Sequence, residues 1–85
     1  MLHALKTIQP FFNHVKEGNK TFELRKFDRP FKPSDTLVLQ EWDVDKEEYT
    51  GQELHFTISY VLAEAEKFGL KKGYCAIGLK PAPSN

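Results

Sequence analysis

The sequence predicts an α+β fold that is mainly β, with short strands curling toward a small barrel and one short helix. Three observations predict it. The chain has 85 residues, enough for one core, with nothing to suggest a second. Several segments alternate apolar and polar residues with the period of a strand, most clearly over residues 52–62. A helical spacing with start and stop signals occurs only over residues 10–17.

The elements follow in order. Leu2 to Thr7 reads as a first strand. Pro10 suits the first position of a helix, where a missing N–H costs nothing, and Gly18 suits its end. Phe11, Phe12 and Val15 then share one side of a two-turn helix over 10–17. Such a helix is too short to stand alone and needs its apolar face held.

Thr21 to Arg25 alternates strictly, with Phe22 and Leu24 on one face and Thr21, Glu23 and Arg25 on the other. Phe27 to Ser34 is a loop punctuated by Pro30 and Pro33, and Asp35 begins the next turn. Thr36 to Trp42 is a second clear strand, Asp43 to Thr50 a charged tip, and Gly51 closes the tip. Gln52 to Leu62 returns as a strand with Leu54, Phe56, Ile58, Tyr60 and Leu62 on one face. Ala63 to Lys72 connects, with a helical turn near Ala65, and Tyr74 to Leu79 is the last strand. One domain over 1–80 and a loose tail over 81–85 are expected. Closing on themselves handles the exposed edges of such short strands.

Composition excludes several classes. Twelve Lys+Arg balance twelve Asp+Glu, so a binder of bulk polyanion is not announced. The zero is a sum of unlike segments. Residues 16–32 carry Lys16, Lys20, Arg25, Lys26, Arg29 and Lys32 against Glu17, Glu23 and Asp28, a net of +3. Residues 33–53 carry Asp35, Glu41, Asp43, Asp45, Glu47, Glu48 and Glu53 against Lys46, a net of −6. A single cysteine, Cys75, permits no internal disulfide and reads as a buried, inert thiol. His3, His14 and His55 show no metal-ligand spacing, so no metal and no cofactor are expected. The acidic tip lacks the ordered spacing of a calcium loop. No apolar run approaches about 18 residues, so the expectation is a soluble cytoplasmic domain without a membrane partner.

Seven short motifs carry a resemblance. They are His3-Ala4-Leu5-Lys6, Lys20-Thr21-Phe22-Glu23-Leu24-Arg25, Asp28-Arg29-Pro30-Phe31, Glu41-Trp42-Asp43, Tyr49-Thr50-Gly51, Phe68-Gly69-Leu70 and Gly73-Tyr74. In that order, from residue 3 to 79, they resemble the short bacterial and phage family DUF3850. Ser34-Asp35 stands where that family has Gly-Asp. The stretch Gly18 to Arg25 also resembles the Gly-x-Lys-x-x-x-x-Arg signature of ASCH domains in the PUA-like superfamily. The resemblance implies a PUA-like pseudobarrel of five to six strands, with a cleft between barrel and helix near Gly18–Arg25. It also implies RNA or a nucleotide as the partner.

The residues expected to contact nucleic acid are Lys20, Glu23 and Arg25, with Lys26 and Arg29 on the backbone, Trp42 stacking, and His3 beside the cleft. A guanidinium fork beside an ammonium suits a phosphate; a Glu23–Arg25 or Lys20–Glu23 pair that only holds the strand is the competing reading. Among the other aromatics, Tyr60 is expected in the core, Phe27 and Phe31 packed around Asp28-Arg29, and Tyr49 and Tyr74 available for stacking.

Two rival functions stand beside this one. Some ASCH relatives hydrolyse acylated cytidine nucleosides with a Lys, a Thr and a Glu. Lys20 matches the Lys, but Glu23 occupies the Thr position, and neither Glu64 nor Glu66 aligns with the acid. The second rival is a protein-interaction module built on the acidic hairpin 41–53.

Overall fold

The structure is a computed structural model that describes residues 1–83. Among the described residues, five strands form one curled mixed sheet, a half-barrel, in the order β1-β3-β4-β5-β2. They are β1 (Leu2–Thr7), β2 (Phe22–Lys26), β3 (Thr36–Asp43), β4 (Glu48–Ala63) and β5 (Tyr74–Pro81). One helix, α1 (Phe11–Lys16), follows β1, and a 3-10 turn spans Glu66–Phe68. The β1–β3 pair is parallel and the other three are antiparallel. The core is formed by Leu5, Val15, Phe31, Leu37, Leu39, Ile58, Cys75 and Ile77. Burial pushes the Cys75 thiol above its ordinary range. Among the described residues, no helix is long and apolar enough to cross a membrane.

The helix begins at Phe11, with Pro10 flanking it rather than occupying its first position. It ends as the glycine signal predicts. Gly18 has φ +82°, its N–H donates to Val15 O, and Asn19 N–H donates to His14 O. This is the doubly bonded left-handed stop that glycine favours, and it fixes where Lys20 leaves the helix. Phe12 and Val15 are buried, but Phe11 is exposed, so the three do not share one environment.

The hairpin tip is tighter than the charge run suggests. Asp43 Oδ1 accepts from the N–H groups of Asp45 and Lys46, and β4 already starts at Glu48. Gly51 lies inside β4 at φ +95°, in a bulge facing Glu41. The buried Glu41 carboxylate accepts from Thr50 (2.7 Å), Gln52 (3.1 Å) and Gln9. Hydrogen bonds from Thr50 and Gln9 hold its pKa below the usual value.

A second bulge corrects the expected apolar face of β4. Ile58 pairs with Leu79, yet Tyr60 pairs with Gly78, so Ser59 is an extra residue. One extra residue turns every later side chain to the opposite face. Val61 and Ala63 therefore pack on the core, while Tyr60 is 64% exposed. Ser59 lies over Gly78, where an added Cβ would stand 2.5 Å from its Oγ. At the other end, β5 runs through Pro81, and Ser84 and Asn85 of the expected tail lie outside the described residues.

Asp35 anchors the start of β3. Its carboxylate accepts from His3 Nε2 (2.9 Å), the Met1 amino group (3.1 Å) and Lys32 N–H (3.1 Å). The His3 bond is the main reason its pKa falls from 3.8 to about 2. A depressed carboxylate contributes stability above its unfolded pKa and loses it as pH falls through the folded value. Acid unfolding is therefore expected to steepen between pH 3.8 and about 2. Thermal melts across that window check this: Asp35→Asn should flatten the wild-type decline, and parallel curves would contradict it.

Candidate functional site

The sheet ends at β1 on one side and β2 on the other, and the strands do not bond to each other across that gap. This seam is a cleft of about 410 Å³, within the range of small-ligand pockets. Lys6, Thr7 and Ile8 line it from the β1 side, Phe22 to Arg25 from β2, and Phe11 and Lys20 from the helix and its exit. A second concavity of about 570 Å³ is lined by Phe27, Glu64, Glu66, Lys72, Gly73 and Tyr74. It holds two carboxylates against one ammonium, so its charge favours an anion less.

β2 is turned opposite to its apolar pattern. Glu23 is 4% exposed, whereas Phe22 and Leu24 are 46% and 57% exposed. The polar face points inward because Glu23 has its partners there. Its Oε2 accepts from Lys20 Nζ at 2.5 Å. Its Oε1 accepts from Arg25 Nη2 at 3.0 Å and Nε at 3.2 Å. Lys20 Nζ also donates to Phe22 O at 2.6 Å. Arg25 Nη2 then crosses the seam to Lys6 O (2.7 Å) and Thr7 Oγ1 (3.3 Å). One guanidinium thus holds together two sheet edges that no backbone bond joins.

The internal ion pairs of the competing reading are therefore present, but they do not consume the positive charge. Lys20 and Arg25 face one carboxylate, leaving a net +1 there, while the Lys6 ammonium turns away over the Trp42 ring. Lys20 has three N–H donors, and Phe22 O and Glu23 take two of them. Among the described residues, Arg25 Nη1 has no acceptor. None of the acidic residues of the hairpin lines the cleft, so the charges that cancel in the total are separated in space.

Of the seven expected contact residues, the structure brings Lys20, Glu23 and Arg25 together and places four elsewhere. His3 is buried, bonded to Asp35 with its ring 4.7 Å from Phe31. Trp42 packs edge-on against Tyr49 at 4.9 Å, with Lys6 Nζ 3.7 Å above its ring. Lys26 is exposed at the end of β2, and Arg29 lies on the following loop, 3.9 Å from Asp28. Phe31 is core, and Phe27 is half exposed beside it at 6.4 Å.

Sequence reasoning missed Lys6, Thr7, Ile8, Phe11, Phe22 and Leu24 as site residues. For Phe22 and Leu24 the signal was the strict alternation itself, whose polar face already carried the site charges. For Lys6 and Thr7 there was no local signal, since only the β1–β3 pairing brings them to the seam.

A 41-residue stretch, 48% of the chain, is 44% identical to an "Uncharacterized 12.9 kDa protein in GpA 3′region" of Escherichia phage P2. The match covers 38% of that protein's length, so the chain spans well under half of this relative. The domain of unknown function DUF3850 matches residues 2–79, which takes in β1 to β4, the helix, β5 up to Leu79 and the whole cleft lining. The chain belongs to the DUF3850 family.

Proposed function

We propose that the seam between β1 and β2 binds a short unpaired segment of RNA or a single nucleotide. The observation that carries this reading is the composition of one cleft. Lys20 and Arg25 line the same cleft as the exposed rings of Phe11 and Phe22, with Ile8 and Leu24 alongside. A nucleotide needs both features: a charged group for its phosphate and a flat apolar surface for its base. Lys20 Nζ lies 4.9 Å from the centre of the Phe22 ring and 6.0 Å from that of Phe11, so charge and stacking surface adjoin. The resemblance to ASCH and PUA-like domains supports the same ligand class.

Binding is favoured over hydrolysis of an acylated nucleoside. Glu23 stands where that chemistry needs a hydroxyl, and its carboxylate is tied to both Lys20 and Arg25. Lys20 is correspondingly engaged with Glu23 and Phe22 O rather than with a nucleophile.

Fluorescence anisotropy of labelled single-stranded hexaribonucleotides tests the proposal. Lys20→Ala should weaken binding and lower the slope of log affinity against log salt by about 0.7, the value for one single-strand phosphate contact. Phe22→Ala should weaken binding by about 1–3 kcal/mol through lost stacking, with little change in that slope. Unchanged affinity and slope in Lys20→Ala would overturn the proposal.

A further inference from the structure

The main chain of β2 has a free side, and the register shows which groups occupy it. Leu79 N–H donates to Thr21 O, and Phe27 N–H donates to Gly73 O. The β2–β5 ladder between them is regular, without a bulge. In an antiparallel pair the groups of alternate residues point to the partner and away from it. Thr21, Glu23, Arg25 and Phe27 therefore bond toward β5, while Phe22, Leu24 and Lys26 direct theirs into the seam. The parallel β1–β3 pair gives a matching result. Thr36 N–H donates to Met1 O, so Leu2, Ala4 and Lys6 present their groups outward, and Lys6 O is where Arg25 lands.

At the cleft, two carbonyls of this free edge are already occupied. Phe22 O accepts from Lys20, and Lys6 O accepts from Arg25. That leaves Phe22 and Lys6 only an outward N–H each, whereas Leu24, among the described strand residues that line the cleft, keeps both its N–H and its C=O unpaired. An extended peptide adding to the sheet needs a run of such groups. One residue's N–H and C=O, flanked by Lys20 and crossed by Arg25, suits a shorter planar partner. The pairing edge of a nucleobase has this form, since each base sets an N–H donor beside an acceptor.

We infer that the seam recognises a base by its pairing edge, through the N–H and C=O of Leu24, with Lys20 and Arg25 on its phosphate. This rests on the nucleotide-binding reading and deepens it. The pairing edge of a base in a duplex is already used, so the ligand is single-stranded because of its hydrogen bonds as well as its shape. Main-chain groups also explain how an apolar residue can serve the site without a polar side chain.

The test uses the full chain and two matched pairs of hexaribonucleotides. One pair is hexaadenylate with and without N6,N6-dimethyl groups, and the other is hexauridylate with and without N3-methyl groups, all uncharged modifications. Methylation blocks the pairing edge and leaves the phosphates intact. The tighter-binding unmodified oligonucleotide should lose about tenfold or more in affinity on methylation, the discrimination of a good two-point base contact. Leu24→Pro supplies the protein-side arm. Proline removes an N–H that the ladder does not use, which edge strands tolerate. This variant should bind the methylated and unmethylated forms alike. If Leu24→Pro fails to fold, the methylated pair in the wild-type chain still decides. Equal wild-type affinity for both forms would overturn this inference, leave phosphate binding standing, and return the Leu24 edge to strand addition by a peptide. No binding of any unmodified oligonucleotide would overturn both readings.

Discussion

Arg25→Ala is expected to lose RNA binding and about 2 kcal/mol or more of stability together. The side chain does two jobs from one position. It balances the buried Glu23 carboxylate through Nε and Nη2, and it joins β2 to β1 through Lys6 O and Thr7 Oγ1. Truncation leaves Glu23 with Lys20 alone and removes these bonds across the gap between the sheet's two ends. Arg25 is only partly exposed, so water offsets part of the loss but not all of it. Arg25→Lys should restore the charge yet recover little of the stability, because an ammonium cannot reproduce the planar fork that reaches Glu23 and Lys6 at once. Urea unfolding and anisotropy, run on both variants, separate the two jobs. A stable Arg25→Ala that binds as the wild type does would deny the residue both roles.

Ile77→Ala should be strongly destabilising, at about 2–5 kcal/mol. Ile77 is fully buried and lies in register between Val61 on β4 and Glu23 on β2. Its removal leaves a cavity directly beside the strand that carries the site. A domain of 85 residues has a total stability of roughly 4–13 kcal/mol at the usual value per residue, so the loss is a large fraction of it. Leu24→Ala is the natural control, since that side chain is 57% exposed and its truncation should cost within about 0.5 kcal/mol. Chemical denaturation measures both. Equal midpoints for Ile77→Ala and Leu24→Ala would contradict the assignment of inner and outer faces on β5 and β2.

Local order was legible where local rules decide. The spacing of Phe12, Val15 and Gly18 gives the helix and its stop, and the alternating runs give the strands to within a few residues. The faces were harder to read. A period-two pattern says which residues share a side, not which side is buried, and β2 shows the difference. Its apolar residues look outward because Glu23 finds Lys20 and Arg25 within. The bulge at Ser59 reverses the face of Tyr60 without leaving a Gly or Pro of its own in that strand. Its trace is Gly78 on the neighbouring strand, which pairing alone brings opposite.

The site was half legible for a related reason. Lys20, Glu23 and Arg25 lie within six residues, so strand geometry alone brings them together. Lys6, Thr7 and Phe11 reach them through the curl of the whole sheet and the placement of α1. His3 and Trp42 had motif and composition in their favour, but the pairing of β1 with β3 gives them other partners. Asp35 takes the first, and Lys6 with Tyr49 takes the second. The zero net charge concealed the cleft, because the compensating acids lie on the β3–β4 hairpin and contribute nothing to its lining.

The central claim is that the open seam between β1 and β2 is where this protein meets its ligand. Amide chemical-shift mapping during titration with a short single-stranded oligoribonucleotide tests it most directly. The predicted perturbations fall on residues 6–8, on Phe11 and on residues 20–25, and Arg25→Ala removes them. Perturbations centred instead on the 43–48 hairpin tip or on the Phe27–Tyr74 concavity, or none at saturating oligonucleotide, would contradict the account.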